Sequence, residues 1–255
     1  LIVSLPHGAK IIPMSDVETV FTVEQQSPTR LGGTFQSGDI LAQPMVADDG
    51  DFVRIVLPGF HTSHEIGNPE LPQLHRLIEI PQNAMPRIEV VYEETKYYNL
   101  EDFGIENPIF PYQPSLSKSQ DPDDVLFEWN ETIYEEDDYL SPELISVDIK
   151  GQLRSLRLAN LVIRPIDYNP VSGMIKVTTN VEFIIHFDGA DLVETANIKE
   201  KYYSPYFESV YSQVANYEEP DLRDDLVSYP VTYVIITNPI FENTMSEFID
   251  WKIQK

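Results

Sequence analysis

At 255 residues and 42% hydrophobic, the chain is long enough to fill a core, which argues against disorder and for one large domain or two small ones. Its 42 acidic residues against 17 basic ones give a formal net charge of −25, which excludes the basic footprint of a nucleic-acid binder and favours a partner with a neutral or basic surface. Cysteine is absent, so the chain carries no disulfide, thiolate metal site or cysteine nucleophile of its own. No apolar run approaches the roughly 18 residues of a membrane span. The start, Leu1-Ile-Val-Ser-Leu, has no basic segment before it, so any signal peptide is expected to have been removed already.

Short apolar stretches separated by Gly, Pro, Asn and Asp recur at intervals of about ten residues as far as position 190. That rhythm predicts a mainly β fold, an antiparallel β-sandwich or barrel. Strands are expected at Val17 to Val23, Phe52 to Leu57, Leu74 to Ile80, Ile88 to Tyr98, Leu144 to Ile149, Gln152 to Ile163 and Met174 to Phe187. In the last of these, Val181, Phe183 and Ile185 fall on one face and Glu182, Ile184 and His186 on the other, as in a half-buried strand. Tyr168-Asn-Pro-Val-Ser-Gly173 is a turn by composition, so the run from Arg154 to Ile166 is expected to pair with 174–187 as a hairpin.

His61-Thr-Ser-His64-Glu65 has a superficial likeness to zinc signatures. Helical zinc peptidases need two histidines one turn apart with the glutamate between them, whereas here the glutamate lies outside and Gly67 and Pro69 follow at once. A solvated loop is the expectation, with no metal. His75 and His186 are read as lone structural histidines on strands. The acidic groups Asp48-Asp49-Gly-Asp51, Asp121-Pro-Asp-Asp124 and Glu135-Glu-Asp-Asp138 offer oxygen ligands of the kind calcium takes, yet none fits the calcium-loop spacing. No cofactor is therefore expected. Two carboxylates also make a glycosidase, but nothing in the sequence selects a pair.

Between Pro108 and Pro122 stand four prolines set among Ser, Gln and Asp. Each lacks a backbone donor and pushes its predecessor toward extended geometry, so the segment is expected to be an exposed, semi-extended loop. Lys118, flanked by Leu116, Ser117 and Ser119, is the only cation between Pro111 and Asp124.

Near Tyr202 the texture changes. Ser204 precedes Pro205, and Phe207, Val210, Tyr211 and Val214 recur at helical spacing, predicting a short amphipathic helix. Asn216 to Asp225 is polar, acidic and proline-containing, and reads as a linker. Pro230-Val-Thr-Tyr-Val-Ile-Ile-Thr237 is a continuous apolar run of the kind buried in a parallel sheet, and Asn243 to Lys255 is a helix with Met245, Phe248, Ile249 and Trp251 on one face. One strand and one helix do not bury such faces alone. We therefore expect three parts: a β-sandwich at 1–200, a short helix and acidic linker at 201–229, and the opening βα unit of a second, α/β domain at 230–255.

Several of these runs carry a family resemblance. Gly67-Asn-Pro-Glu-Leu-Pro72, Leu77-Ile-Glu-Ile-Pro81, Leu116-Ser-Lys-Ser-Gln-Asp-Pro122 and Tyr202-Tyr-Ser-Pro-Tyr-Phe-Glu-Ser-Val-Tyr211 resemble, in this order, the N-terminal propeptide of gingipain-type (family C25) cysteine peptidases. Tyr233-Val-Ile-Ile-Thr237 and Phe248-Ile-Asp-Trp-Lys-Ile-Gln-Lys255 resemble the first strand and helix of their caspase-like catalytic domain. In the Lys118 loop the likeness is to the lysine-specific members.

The resemblance implies a jelly-roll-like β-sandwich prodomain that helps a secreted or cell-surface cysteine endopeptidase to fold, keeps it latent and is removed by proteolysis. The partner it implies is the chain's own downstream catalytic domain. A basic residue on one propeptide loop enters the primary specificity pocket, and that role falls on Lys118. No catalytic residue is expected in this chain, so it should have no peptidase activity by itself. Lys255 and Arg223, with Lys199 or Lys201, are the expected processing points. An acidic β-sandwich that binds glycans or a cell surface is the alternative, and it leaves the unit at 230–255 unexplained.

Overall fold

Period-two burial organises the computed structural model, which describes residues 8–14, 18–47, 50–121, 125–219 and 234–253. Strands run at Lys10–Ile12 (β1), Val20–Ser27 (β2), Arg30–Gln36 (β3), Ile40–Ala47 (β4), Gly50–Val56 (β5) and His61–Thr62 (β6). They continue at Pro72–Glu79 (β7), Met85–Asn99 (β8), Ile145–Leu153 (β9), Leu156–Ile163 (β10), Ile166–Asn169 (β11) and Met174–Asp188 (β12). The pairs among them are antiparallel and fall into three sheets, in the orders β1-β4-β5, β6-β7-β10-β9 and β11-β12-β3-β2, with β8 also on β12.

The long strand β12 is the spine. β8 pairs along its whole length, so β11 and β3 share its other edge. Val181, Phe183, Ile185 and Phe187 are buried, while Glu182 is exposed and His186 lies on the outer face 2.7 Å from Glu89. The alternation expected of this segment is therefore what orients it. Buried residues from all three sheets, among them Ile12, Leu31, Phe35, Ile40, Ile55, Leu74, Ile78, Leu161, Val181 and Ile185, merge in one core.

The expected antiparallel β architecture is present, and four details differ. First, β3 and β4 had no expectation. In β3, Gly33 lies opposite Phe183, whose ring occupies the space a Cβ would need (2.2 Å), so the strand is built around two glycines with little apolar signal. Second, the hairpin partner of β12 is the short β11; the run at 156–163 pairs instead with β7 and β9. A reversal at Arg154 (φ 50) and Ser155 splits the expected 152–163 strand into the ends of β9 and β10.

Third, a helix that the sequence did not suggest, Leu192–Tyr202 (α2, after the one-turn α1 at Glu131–Tyr134), follows β12. Asp191 caps it by accepting the Glu194 N–H at 2.9 Å. It buries no residue fully, so it lacks the apolar stripe that reveals a helix in sequence. Fourth, the expected 204–214 helix is shorter: a 3-10 turn at Pro205–Phe207 leads into a single turn at Glu208–Tyr211 (α3). Tyr211 and Val214 pack on Leu156 and Leu158. Asn216 then acts as a surrogate peptide, accepting from the Glu79 N–H at 2.7 Å and donating to the Glu79 carbonyl at 3.0 Å. These contacts extend the first compact unit to Glu218, so the boundary expected at residue 200 falls inside α2.

Residues 219–255 form a second unit. Its helix, Glu242–Ile253 (α4), agrees with the expectation for 243–255 and buries none of its residues. Residues 234–237 form no strand, and Val234 and Ile236 are 73% and 96% exposed. A strand needs a neighbour to take its backbone donors and acceptors, and this unit supplies none among the described residues. Val17, Asp48, Asp49, Pro122 to Asp124, Arg223, Lys255 and the expected strand residues 230–233 lie outside the described residues.

Candidate functional site

The loop around Lys118 is held by a neck of backbone hydrogen bonds. Its entry, residues 108–112, first runs beside β5, where the Val53 N–H donates to Pro108 O at 2.9 Å and the Phe110 N–H to Val53 O at 2.8 Å. It then meets the 67–70 segment, through Glu70 N–H to Phe110 O and Tyr112 N–H to Asn68 O, both 2.9 Å. The exit returns to the same segment. Gly67 donates its N–H to Tyr112 O at 2.9 Å and accepts the Asn130 N–H at 3.0 Å, so one residue ties both ends of the loop together.

Gly67 has φ +78, and a Cβ there would sit 3.0 Å from the Asn130 backbone nitrogen. Glycine alone satisfies both conditions without strain. The conformation gives a physical reason for the Gly67-Asn-Pro-Glu-Leu-Pro72 run that sequence reading valued only as a resemblance. One step farther out, Gln113 clasps Glu128, donating from Nε2 to Glu128 O at 2.8 Å and accepting the Glu128 N–H at Oε1 at 2.9 Å.

Aromatic packing fills the inside of the neck. Phe52 of β5, 1% exposed, lies 5.6 Å from Phe110, 5.5 Å from Phe127 and 5.1 Å from Trp129, ring centre to ring centre. Tyr134 of α1 stacks edge-on against Trp129 and donates its hydroxyl to Ile109 O at 2.5 Å. Burial pushes the Tyr134 phenol far above its ordinary pKa, which keeps it a neutral donor. Glu70, buried, is held by Arg54 at 2.8 Å, and the Arg54 guanidinium stacks 5.2 Å from the centre of the Phe110 ring.

At the tip the chain reverses. The Gln120 N–H donates to Ser117 O at 3.1 Å, making Lys118 and Ser119 the central residues of a four-residue turn. Gln120 Oε1 accepts the Ser117 N–H at 2.8 Å, and the Ser117 and Ser119 hydroxyls lie 3.1 Å apart. Leu116, Ser117, Lys118 and Ser119 are all exposed. Lys118 takes part in no ion pair among the described residues. The arrangement is thus a cation at the apex of a turn, on a loop fixed at both ends.

The other candidates are placed differently. Lys199 pairs with Glu79 at 2.6 Å beside a cavity of about 450 Å³ between α2 and the sheets, while Lys201 is exposed at the end of α2. Burial holds the Glu79 carboxyl above its ordinary pKa, against the opposing pull of Lys199. Arg223 and Lys255 lie outside the described residues. Of the acidic groups, Asp51 and Glu135 to Asp138 are exposed, and Asp137 accepts a hydrogen bond from Asn169 at 3.0 Å.

His75 is not a lone histidine. Its ring centre lies 6.2 Å from His61 and 6.4 Å from His64, and His64 in turn sits edge-on to Tyr112 of the neck at 5.1 Å. On one strand a three-residue offset would send His61 and His64 to opposite faces, but β6 ends at Thr62. Ser63, bonded to Leu71 and Pro69, lies past the end of the strand, so His64 is not on the β6 ladder. Among the described residues, no three His, Asp or Glu side chains are grouped to hold a metal.

Burial lowers the His75 pKa, and nearby His61, His64, Arg164 and Lys150 push it the same way. Its Nδ1 lies 3.1 Å from the Asn160 amide nitrogen, which donates to the neutral ring. The unfolded chain therefore takes up a proton near pH 6.5 that the folded chain refuses until lower pH. Stability contributed by the neutral ring is complete above that pH and is lost as pH falls through it. Melting curves between about pH 7.5 and 5.5 should show a smaller drop for His75→Gln than for the wild type; equal drops would assign the loss to other groups.

The chain matches the Propeptide_C25 family over residues 15–221. It is 32% identical to the Lys-gingipain of Porphyromonas gingivalis over 234 residues, 92% of this chain and 14% of that protein, and 23% identical to gingipain R2 of the same organism over 75% of this chain and 25% of that one. The chain thus spans a small part of the length of these relatives. A structure of gingipain K from P. gingivalis, solved to explain its zymogenic latency, superposes with a TM-score of 0.67 at 30% identity, over 71% of this chain and all of that one. The complex of the P. gingivalis RgpB pro- and mature domains superposes with a TM-score of 0.62 at 19% identity, over 78% and 98% of the two chains, a likeness of fold. Sequence family, relatives and antiparallel three-sheet architecture agree: the chain belongs to the propeptides of the gingipain-type, C25 cysteine peptidases.

Proposed function

We propose that this chain is the latency-maintaining inhibitor and folding assistant of a gingipain-like, lysine-specific cysteine endopeptidase, and that Lys118 enters the specificity pocket of its own downstream catalytic domain. The observation that carries the reading is the exposed Lys118 ammonium, free of ion pairs among the described residues, at the apex of a loop whose two ends are tied to Gly67. An ammonium entering a pocket built around a carboxylate gains a charge-assisted contact. A neck already formed in the free chain leaves less conformational entropy to lose on docking.

The same reading assigns residues 230–255 to the first strand and helix of the catalytic domain. Supporting it, Val234, Ile236, Phe248, Trp251 and Ile253 of the second unit are all exposed, apolar surface of the sort a larger α/β core would cover. Processing is proposed after Lys255 and within the acidic linker at Arg223, with the whole assembly exported to the cell surface or medium. The purified chain is expected to inhibit a lysine-specific gingipain at submicromolar concentration and an arginine-specific one at least tenfold more weakly, about 1.4 kcal/mol. Titration of each peptidase with a chromogenic substrate checks this, and equal inhibition of both would contradict the lysine assignment.

A further inference from the structure

We propose that Gln120 is a positioning residue that keeps Lys118 an inhibitor instead of a substrate. The proposal rests on the reading of Lys118 as the residue that enters the specificity pocket. A peptidase that accepts lysine in that pocket will cut after it whenever the Lys118–Ser119 peptide bond reaches the nucleophile with its carbonyl in line. Hydrolysis would pass the Lys118 acyl group to the peptidase thiol, release the Ser119 nitrogen as an amine, and consume one water to free the Lys118 carboxylate. Something in the loop must therefore withhold that geometry.

Gln120 does so from both directions. Its N–H holds Ser117 O at 3.1 Å, and its side-chain oxygen holds the Ser117 N–H at 2.8 Å. The residue before Lys118 is thus bound, through both of its backbone polar groups, to the second residue after it. Extending the chain through Lys118 and Ser119, as a substrate strand must, breaks both bonds and separates the Ser117 and Ser119 hydroxyls, now 3.1 Å apart. The contacts are local to the tip. Gln120 is exposed and its hydrogen bonds stay within the tip. Truncating its side chain therefore removes the hold on the Ser117 N–H, keeps the backbone bond to Ser117 O, and loosens the turn that withholds the following bond while the neck stays intact.

The neck adds a second effect. Were the Lys118–Ser119 bond cut, Gly67 and the Gln113–Glu128 clasp would still hold the two new ends near each other. The Ser119 amine would then compete with water for the acyl group at high effective concentration.

The test incubates the whole chain with an equimolar lysine-specific gingipain and follows residual activity and intact mass together. Wild type should keep its Lys118–Ser119 bond and stay inhibitory. Gln120→Ala should inhibit at first, then release activity at least roughly tenfold faster as two fragments appear that split after Lys118 and together weigh one water more than the chain. Gln120→Glu keeps an oxygen acceptor for the Ser117 N–H and should restore most of the resistance, which a merely bulk effect of residue 120 would not. Melting temperatures of all three should coincide. A Gln120→Ala chain whose Lys118–Ser119 bond lasts as long as in wild type, or whose release of activity follows a cut at another bond, would overturn the proposal. Wild-type potency in Lys118→Ala would overturn it at a different point, by removing the reading of Lys118 itself.

Discussion

Replacing Lys118 by alanine is expected to weaken inhibition of a lysine-specific gingipain by about 100-fold, close to 2.7 kcal/mol, while leaving the melting temperature unchanged. Both halves of the expectation follow from position. The side chain is exposed at the turn apex and supports nothing inside the chain, so truncation has no packing to undo. Under the proposed function, the same truncation in the docked state would remove a desolvated charge contact and strand the carboxylate opposite, a loss far larger than that of a surface ion pair. Inhibition constants from steady-state kinetics, beside a thermal melt of each chain, check the two halves separately. Arginine at 118 should retain binding only in part, because its planar fork differs in shape from a lysine ammonium.

Phe52→Ala should act mainly on stability, removing about 3–5 kcal/mol through a site buried inside the chain. The ring is 1% exposed and shares its surface with Phe110 on the entry side of the neck and with Phe127 and Trp129 on the exit side. Alanine leaves a cavity at the point where β5 and both limbs of the loop meet. Urea denaturation of the variant gives the measurement, and a loss below about 1 kcal/mol would mean that the neck collapses to fill the gap. Phe52→Leu, which keeps most of the volume, should be far milder. At temperatures where Phe52→Ala is still folded, its inhibition should weaken too, since Lys118 is then presented from a looser base.

These two outcomes separate what sequence shows from what it hides. The loop was legible because its cause is local: a run of prolines with turn-forming Ser, Gln and Asp lacks the backbone donors and conformations that helix and strand need. The spine strand was legible for the same reason, since Val181, Phe183 and Ile185 alternate with Glu182 and His186 within one short run. The neck was not. Gly67 and Asn130 are joined by a backbone hydrogen bond across a long stretch of chain, and Phe52 meets Trp129 across a longer one. Neither contact leaves a periodic trace. The histidine cluster was missed because the chain leaves β6 at Thr62 and Ser63 is held instead by bonds to Pro69 and Leu71, contacts that leave no mark in the local sequence. α2 was missed because a helix lying on a surface without a buried stripe has no pattern to read. The Gln120 clasp is short-range, yet one glutamine among Ser and Asp says nothing about where its amide points.

The expectation of a buried strand at 230–237 shows another limit. Its described part, 234–237, forms no strand and stands exposed. Under the proposed function, residues of the catalytic domain would complete it.

The most direct measurement is a crystal structure of this chain bound to a lysine-specific gingipain. The account predicts the Lys118 ammonium inside the specificity pocket, about 2.7–2.9 Å from a carboxylate oxygen, with the Gln120–Ser117 turn closed and the Lys118–Ser119 bond intact. Lys118 in solvent, with another segment filling the pocket, would contradict it.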